Sequence, residues 1–282
     1  MFVFKAAVVG AGTMGGEIAH AIATADIPVV LKDVDPKFVD QGLEKARSLW
    51  EARVSDGKLE PAERDRKLGL ITGTTGYEQF GDVDFVIEAV PERMEVKQAV
   101  FSELDAVTPG HAILSSNTSS LSITEMGEVT SRPEQVVGFH FFYPASVMRL
   151  IEVVEGEDTS PETAQTAANF ASALRKMPIR CGEAPGFVVN RILNSAVSEL
   201  WRYQEETGTS IPELDKAVAE SKVAPMGPFF LTDLLGLDTV VSVAEHLREA
   251  YGERFFVHRQ MQELVAAGDL GAKTGKGFYE HG

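Results

Sequence analysis

The apolar run Ala6-Ala7-Val8-Val9 passes directly into Gly10-Ala11-Gly12-Thr13-Met14-Gly15, and few folds accept that order of residues. Glycine at 10 permits a tight strand-to-helix turn. Glycine at 12 lets the backbone approach a pyrophosphate, and glycine at 15 lets the next helix pack closely on the strand. With 25 glycines in 282 residues the pattern alone is weak, so its context decides. Glu17 to Ala23 suits a helix, with Ile18 and Ile22 four apart on one face. A second apolar run, Val29-Val30-Leu31, ends at Lys32-Asp33, about 20 residues beyond the glycines, where an acidic side chain accepts from ribose hydroxyls. That acid favours NAD over NADP. A second reading of Asp33 is a helix cap, and Asp35-Pro36 beside it carries its own cap-and-proline signature.

Alternation continues downstream. Pro36 to Val54 places Val39, Leu43, Ala46 and Trp50 at helical spacing, and Glu60 to Leu70 is a second charged helical stretch. Together they predict a helical hairpin inserted after the second strand. Its Arg47, Arg53 and Lys58 could meet a phosphorylated ligand or simply form a solvated face. Strand-like runs follow at Val83–Val90 and Ala112–Ser115, separated by a helix from Met94 to Leu104, whereas Gly73 and Gly76 read as connections. Val136–Phe142 and Leu150–Val154 extend the same sheet. Pro178 to Gly186 has no period, and beyond it strand signals vanish. Phe187 to Gln204 carries Val189, Leu193, Val197 and Leu200 on one face, and Ser210-Ile211-Pro212-Glu213 is a capping box. The expected fold is α/β: a Rossmann-type domain with a parallel sheet core at 1–182, then an all-helical domain at 183–282.

Composition narrows the function. The 26 basic and 42 acidic side chains leave a net charge of −16, which opposes nucleic acid and anionic membranes as partners. No run approaches the roughly 20 apolar residues of a membrane span. The N-terminus shows no cleavable signal pattern, so a cytoplasmic protein is expected. Cys181 is the only cysteine, which rules out an internal disulfide and a cysteine-based zinc site. No metal is expected.

Of six histidines, only His140 has a telling context, inside a strand between Phe139 and Phe141. Twelve residues on, Glu152 interrupts Leu150, Ile151, Val153 and Val154. A glutamate buried without compensation costs several kcal/mol, so the two should pair. Such a pair is either a general base with the carboxylate that orients it, or a structural ion pair. The cofactor signature favours the first, because oxidising an alcohol needs a base for the hydroxyl proton. Ser115 to Ser120 stands where a parallel strand ends, the ligand edge of an open α/β sheet. Ser122-Ile123-Thr124-Glu125 just beyond is a capping box, which leaves Ser119 available for ligand.

Six blocks, in this order, carry a resemblance: Gly10–Gly15, Ser116-Asn117-Thr118-Ser119-Ser120-Leu121, His140-Phe141-Phe142, Pro185–Arg191, Pro225-Met226-Gly227-Pro228 and Lys273–Tyr279. Over essentially its whole length the chain resembles the short-chain 3-hydroxyacyl-CoA dehydrogenases, which include bacterial 3-hydroxybutyryl-CoA dehydrogenases. The resemblance implies reversible NAD-dependent oxidation of (S)-3-hydroxyacyl-CoA to 3-oxoacyl-CoA. It implies His140 as base, Glu152 as its partner, and Ser119 and Asn190 as hydrogen-bonding groups around the substrate. It places Glu92, Lys97 and Asn117 with Gly10, Gly12, Thr13, Met14, Gly15 and Asp33 on the cofactor; Lys97 by itself reads as a surface residue. Acyl-CoA binding, dimerisation through the helical domain and a functional association with an enoyl-CoA hydratase are further implications. One departure is that the family commonly reads His-Phe-Phe-Asn-Pro, whereas position 143 here is tyrosine, a change that bears on either the acyl pocket or the nicotinamide contacts. Two rivals are a dehydrogenase of a non-CoA hydroxy acid or diketone on the same scaffold, and a non-catalytic NAD-binding protein.

Overall fold

The computed structural model describes residues 2–282 and divides at Glu183 and Ala184 into two compact units. In the first unit the order is β1 (Ala6–Val9), α1 (Thr13–Thr24), β2 (Val29–Lys32), α2 (Pro36–Ser55), α3 (Pro61–Leu68), β3 (Ile71–Thr74) and β4 (Phe85–Glu88). It continues with α4 (Met94–Val107), β5 (Ile113–Ser116), α5 (Ile123–Gly127), β6 (Val136–Phe141), β7 (Leu150–Glu155), α6 (Pro161–Ala173) and β8 (Met177–Gly182). The sheet runs β3-β2-β1-β4-β5-β6-β7-β8, parallel throughout except where β7 pairs antiparallel with β6.

The inner strands are buried along their whole length, which is why they read as unbroken apolar runs: helices cover both faces of such a sheet. Chain order reverses between β1 and β4, so a crevice opens at the carboxyl ends of these two strands. α1 leaves β1 there and packs against α2 through glycines. A Cβ on Gly16 would lie 2.8 Å from the Gly42 carbonyl oxygen, so neither helix could approach as closely with a larger residue.

Two expectations fail at the sheet margins. Ile71–Thr74, read as part of a connection, is the edge strand β3, and Met177–Gly182, inside a segment read as aperiodic, is the edge strand β8. Each pairs on one side only and is half open to water, so neither needs an apolar run. Pro178 is tolerated because an edge strand can do without one ladder donor. Gly73 is bare because α2 lies on it: a Cβ there would meet the Val39 side chain at 2.6 Å.

The second unit is helical, with α7 (Val189–Thr207), α8 (Ile211–Glu220), α9 (Pro228–Leu235), α10 (Leu237–Tyr251) and α11 (Arg259–Ala267). Trp201, Leu214, Phe229, Leu237, Ala244 and Met261 form its core. No helix among the described residues is long and apolar enough to cross a membrane.

Candidate active site

At the crevice the Gly10–Gly15 turn has the geometry its spacing requires. Gly10 sits at φ +102°, and a Cβ there would lie 2.5 Å from the Ala89 carbonyl oxygen. A Cβ on Gly15 would collide with the Gly10 carbonyl oxygen at 1.7 Å, whereas a Cβ on Gly12 would meet nothing within 4 Å. The space over Gly12 is therefore open, and Gly12 starts α1 with no side chain capping its first N–H groups. An open approach to uncapped helix N–H groups suits a pyrophosphate. Thr13 and Met14 form the first turn of that helix.

The competition between Asp33 and Asp35 resolves in space. Asp35 caps α2, its side chain accepting from Lys37 N at 2.8 Å. Asp33 instead accepts from Ala11 N and Val34 N, both at 2.7 Å, so its carboxylate is braced against the glycine turn. Beside it a cavity of about 350 Å³ is lined by Gly10, Val34, Val96, Ala99 and Val100 together with the charged Lys32, Asp33, Glu95 and Glu103. Apolar walls beside a carboxylate that two backbone N–H groups hold in place match an adenine ring and its ribose, so these residues fit a dinucleotide. Arg47 and Lys58 are exposed and paired with Glu44 and Asp56, as a solvated helix face would be.

His140 and Glu152 stand directly opposite each other on β6 and β7. Alternation along β6 turns Phe139 and Phe141 into the aromatic core with Phe85 and Phe170, and turns His140 to the other face. His140 Nδ1 lies 2.8 Å from Glu152 Oε2, and both side chains are buried. A carboxylate only accepts, so it keeps the imidazole proton on Nδ1 and directs the basic lone pair to Nε2. The ring also packs 4.6 Å from that of Phe142, centroid to centroid.

The ends of β4 and β5 hold a polar cluster whose centre was not among the expected residues. Glu88, fully buried as the last residue of β4, accepts from Lys97 Nζ at 2.8 Å, Ser116 Oγ at 2.6 Å and Val90 N at 2.6 Å. Burial pushes its carboxyl up from the usual range, while Lys97 and the hydrogen bonds oppose that shift. Lys97 is not the surface residue its helix suggests: 1% of its side chain is exposed, and its ammonium also meets Glu92 Oε2 at 3.2 Å. Glu92 in turn accepts from Thr118 Oγ1 at 2.5 Å and Ser119 N at 3.1 Å. Asn117 Oδ1 accepts from Phe141 N at 2.9 Å, tying the end of β5 to the residue after the histidine. The signal for Glu88 was present, since it stands between Phe85-Val86-Ile87 and Ala89-Val90 as Glu152 stands inside its own run.

The first unit thus brings together the glycine turn, Asp33, Glu92, Lys97, Asn117, Ser119, His140 and Glu152 along the carboxyl-end side of one sheet. Asn190 belongs to the other unit, in the first turn of α7, where its carbonyl oxygen accepts from Asn194 Nδ2 at 2.9 Å. Ser122 takes the capping role, accepting from Glu125 N at 3.1 Å. Among the described residues no group of three or more His, Cys, Asp or Glu is placed to hold a metal ion.

Comparison with known proteins adds to this geometry. The family model for the 3-hydroxyacyl-CoA dehydrogenase NAD binding domain matches residues 5–184, and that for the 3-hydroxyacyl-CoA dehydrogenase C-terminal domain matches 186–281. The 3-hydroxybutyryl-CoA dehydrogenase of Clostridioides difficile is 38% identical over 278 residues, covering 98% of this chain and 99% of that protein. The crystal structure of (S)-3-hydroxybutyryl-CoA dehydrogenase PaaH1 from Ralstonia eutropha superposes with a TM-score of 0.95 at 36% identity over 99% of both chains. A fatty acid oxidation complex subunit alpha of Pseudomonas savastanoi is 39% identical over 98% of this chain, which spans 38% of that longer protein.

Proposed function

The chain belongs to the 3-hydroxyacyl-CoA dehydrogenase family and oxidises 3-hydroxyacyl-CoA to 3-oxoacyl-CoA with NAD, and on that premise we propose that His140 is its general base, held by Glu152. The observation that carries this reading is the buried 2.8 Å contact between His140 Nδ1 and Glu152 Oε2 at the ligand side of the sheet. His140 Nε2 takes the proton of the substrate's 3-hydroxyl, and the Glu152 carboxylate stabilises the imidazolium that results. NAD, when bound, supplies the acceptor for the hydride that leaves carbon 3 of the (S) substrate. Ser119 and Asn190 hydrogen-bond around the 3-oxygen and the thioester carbonyl. Gly10, Gly12, Thr13, Met14 and Gly15 hold the pyrophosphate, Asp33 the adenosine ribose, and Glu92, Lys97 and Asn117 the nicotinamide side.

In the same reading residues 183–282 bind substrate and form a homodimer, supported by the exposed apolar side chains Ile192, Leu234 and Leu235 of that unit. The enzyme works in the cytoplasm. Functional association with an enoyl-CoA hydratase is supported by the relative named as a fatty acid oxidation complex subunit.

The test is loss of NADH absorbance with acetoacetyl-CoA, beside longer 3-oxoacyl-CoA substrates and a CoA-free diketone. CoA-dependent turnover is expected, and turnover of the diketone alone would move the reading to a non-CoA substrate. His140→Ala should lower kcat by about 10² to 10⁴, the usual span for a general acid–base group. Near-normal turnover by that variant would end the mechanism.

A further inference from the structure

Glu17 has no part in the chemistry above, yet it is one of the most deeply buried charges in the first unit. It lies in the second turn of α1, the helix that leaves the glycine turn. An uncompensated carboxylate there would cost several kcal/mol, so its partners show what it holds. Lys45 of α2 lies 3.1 Å from Oε1. On the other oxygen, Oε2 accepts from Ser146 N at 3.1 Å and from Ser146 Oγ at 3.2 Å.

Ser146 is in the middle of the loop joining β6 to β7, between the strand of His140 and the strand of Glu152. This loop is secured elsewhere too. Lys176 Nζ donates to Ala145 O at 2.6 Å and Met148 O at 2.7 Å, and Val147 N and Met148 N both donate to Pro144 O. Burial holds the Lys176 ammonium below its usual range, and Glu17 opposes that shift. The backbone is pinned, but the crest is open and mostly apolar: Tyr143 is 59% exposed, Val147 70% and Met148 41%, with the exposed Arg149 at its far end. Because β6 is parallel to β5, the crest emerges on the same carboxyl-end side as the Gly10 turn and just past His140. An apolar acyl chain extending from a carbon held at His140 would meet such a crest.

We propose that Glu17 is a positioning residue that anchors the β6–β7 loop to the cofactor-binding helix, so that Tyr143, Val147 and Met148 form the wall receiving the acyl chain. The inference rests on His140 marking the reacting carbon. It predicts a division between ligands. The glycine turn and Asp33 make no bond to Glu17, so cofactor affinity stays, while binding of the acyl thioester weakens when the loop is released.

The experiment compares Glu17→Gln, Ser146→Ala and Val147→Ser with the parent enzyme, measuring NADH affinity and KM and kcat for acetoacetyl-CoA and a long-chain 3-oxoacyl-CoA. Glu17→Gln should raise KM for the long-chain substrate about tenfold, as loss of a charge-assisted hydrogen-bond pair would, with NADH affinity within about twofold. Ser146→Ala should move it in the same direction by less, since the N–H contact remains. The Glu17→Gln/Ser146→Ala double variant should be no worse than Glu17→Gln alone. Val147→Ser, at a position 70% exposed, should lower long-chain kcat/KM about fivefold while sparing acetoacetyl-CoA. Unchanged KM in folded Glu17→Gln, or equal losses of NADH and thioester binding, would overturn the anchoring role. An unaltered chain-length profile in Val147→Ser would overturn the acyl wall. If His140→Ala retains turnover, the catalytic reading itself has failed, whatever the loop variants show.

Discussion

Position 143 shows how little of a residue's role is contained in its own identity. Tyr143 follows the last paired residues of β6 closely enough for its backbone to be fixed with the strand of His140, yet its ring stands largely in water. On the proposed acyl wall, a ring there in place of a short amide would narrow the space for an acyl chain without altering His140. Tyr143→Asn should therefore keep dehydrogenase activity but change the ratio of kcat/KM between acetoacetyl-CoA and long-chain substrates, by roughly threefold to tenfold if the acyl chain covers part of the exposed ring. An identical ratio in parent and variant would remove Tyr143 from selectivity. The residue scale also separates what was readable from what was not. Asp33 and Asp35 carried competing signals in the sequence, and only the hydrogen bond from Lys37 N to Asp35 assigned the cap. Lys97 read as surface because a lysine on an amphipathic helix normally is. Two carboxylates draw it inside, Glu92 just before α4 and Glu88 at the end of β4, and the pattern of α4 itself does not announce Glu88.

At the scale of the element, α1 joins two jobs: its first turn faces the cofactor side, and its later turns pack on α2. His20, on the second part, lies with its ring centroid 4.5 Å from that of Trp50, and neither ring nitrogen has a hydrogen-bond partner among the described residues. Burial holds its pKa down to about 4, against 6.5 in its ordinary state. The native protein then refuses a proton that the unfolded chain accepts, so stability falls as pH drops from about 6.5 to about 4. A shift of that size corresponds to about 3 kcal/mol. Glu88 acts in the opposite sense: its raised carboxyl favours the native state below its ordinary value of 4.5 and loses that contribution as pH rises. The informative quantity is accordingly the difference between variants. In urea unfolding at pH 4.5 and pH 7, His20→Phe should lose less stability on acidification than the parent, by about 2 kcal/mol. Equal losses would mean that His20 is hydrated in the native state. The inner strands were legible because both their faces are covered. The edge strands β3 and β8 were not, because pairing on one side imposes no apolar period on them.

Across the whole molecule, residues far apart in the chain become single structures. In the second unit, Pro225-Met226-Gly227-Pro228 and Lys273–Tyr279 are separate blocks in sequence, and two buried carboxylates join them. Asp215 accepts from Phe229 N, Phe230 N and the Tyr279 hydroxyl, while Asp233 accepts from Phe278 N and Tyr279 N and meets His281 Nε2 at 2.8 Å. Gly277 has to be glycine, since a Cβ would stand 2.3 Å from Asp233 Oδ1. Asp233→Ala strands the Phe278 and Tyr279 N–H groups and should destabilise the protein by about 3 kcal/mol in urea unfolding, with Asp233→Asn milder. A loss below about 1 kcal/mol would show that water replaces the carboxylate. By itself the sequence determined the strand–glycine turn–helix start, the acid closing β2, the histidine and glutamate in neighbouring apolar strands, and a change from alternating to helical signals near residue 182. These are local, because backbone sterics and the burial of apolar runs act over a few residues. The tertiary structure alone decided that Glu88 gathers Lys97 and Ser116, that Glu17 grips the loop beyond His140, and that the chain's last residues close on Asp233. A buried charge is satisfied by whichever groups the fold brings to it, and those groups come from distant parts of the chain.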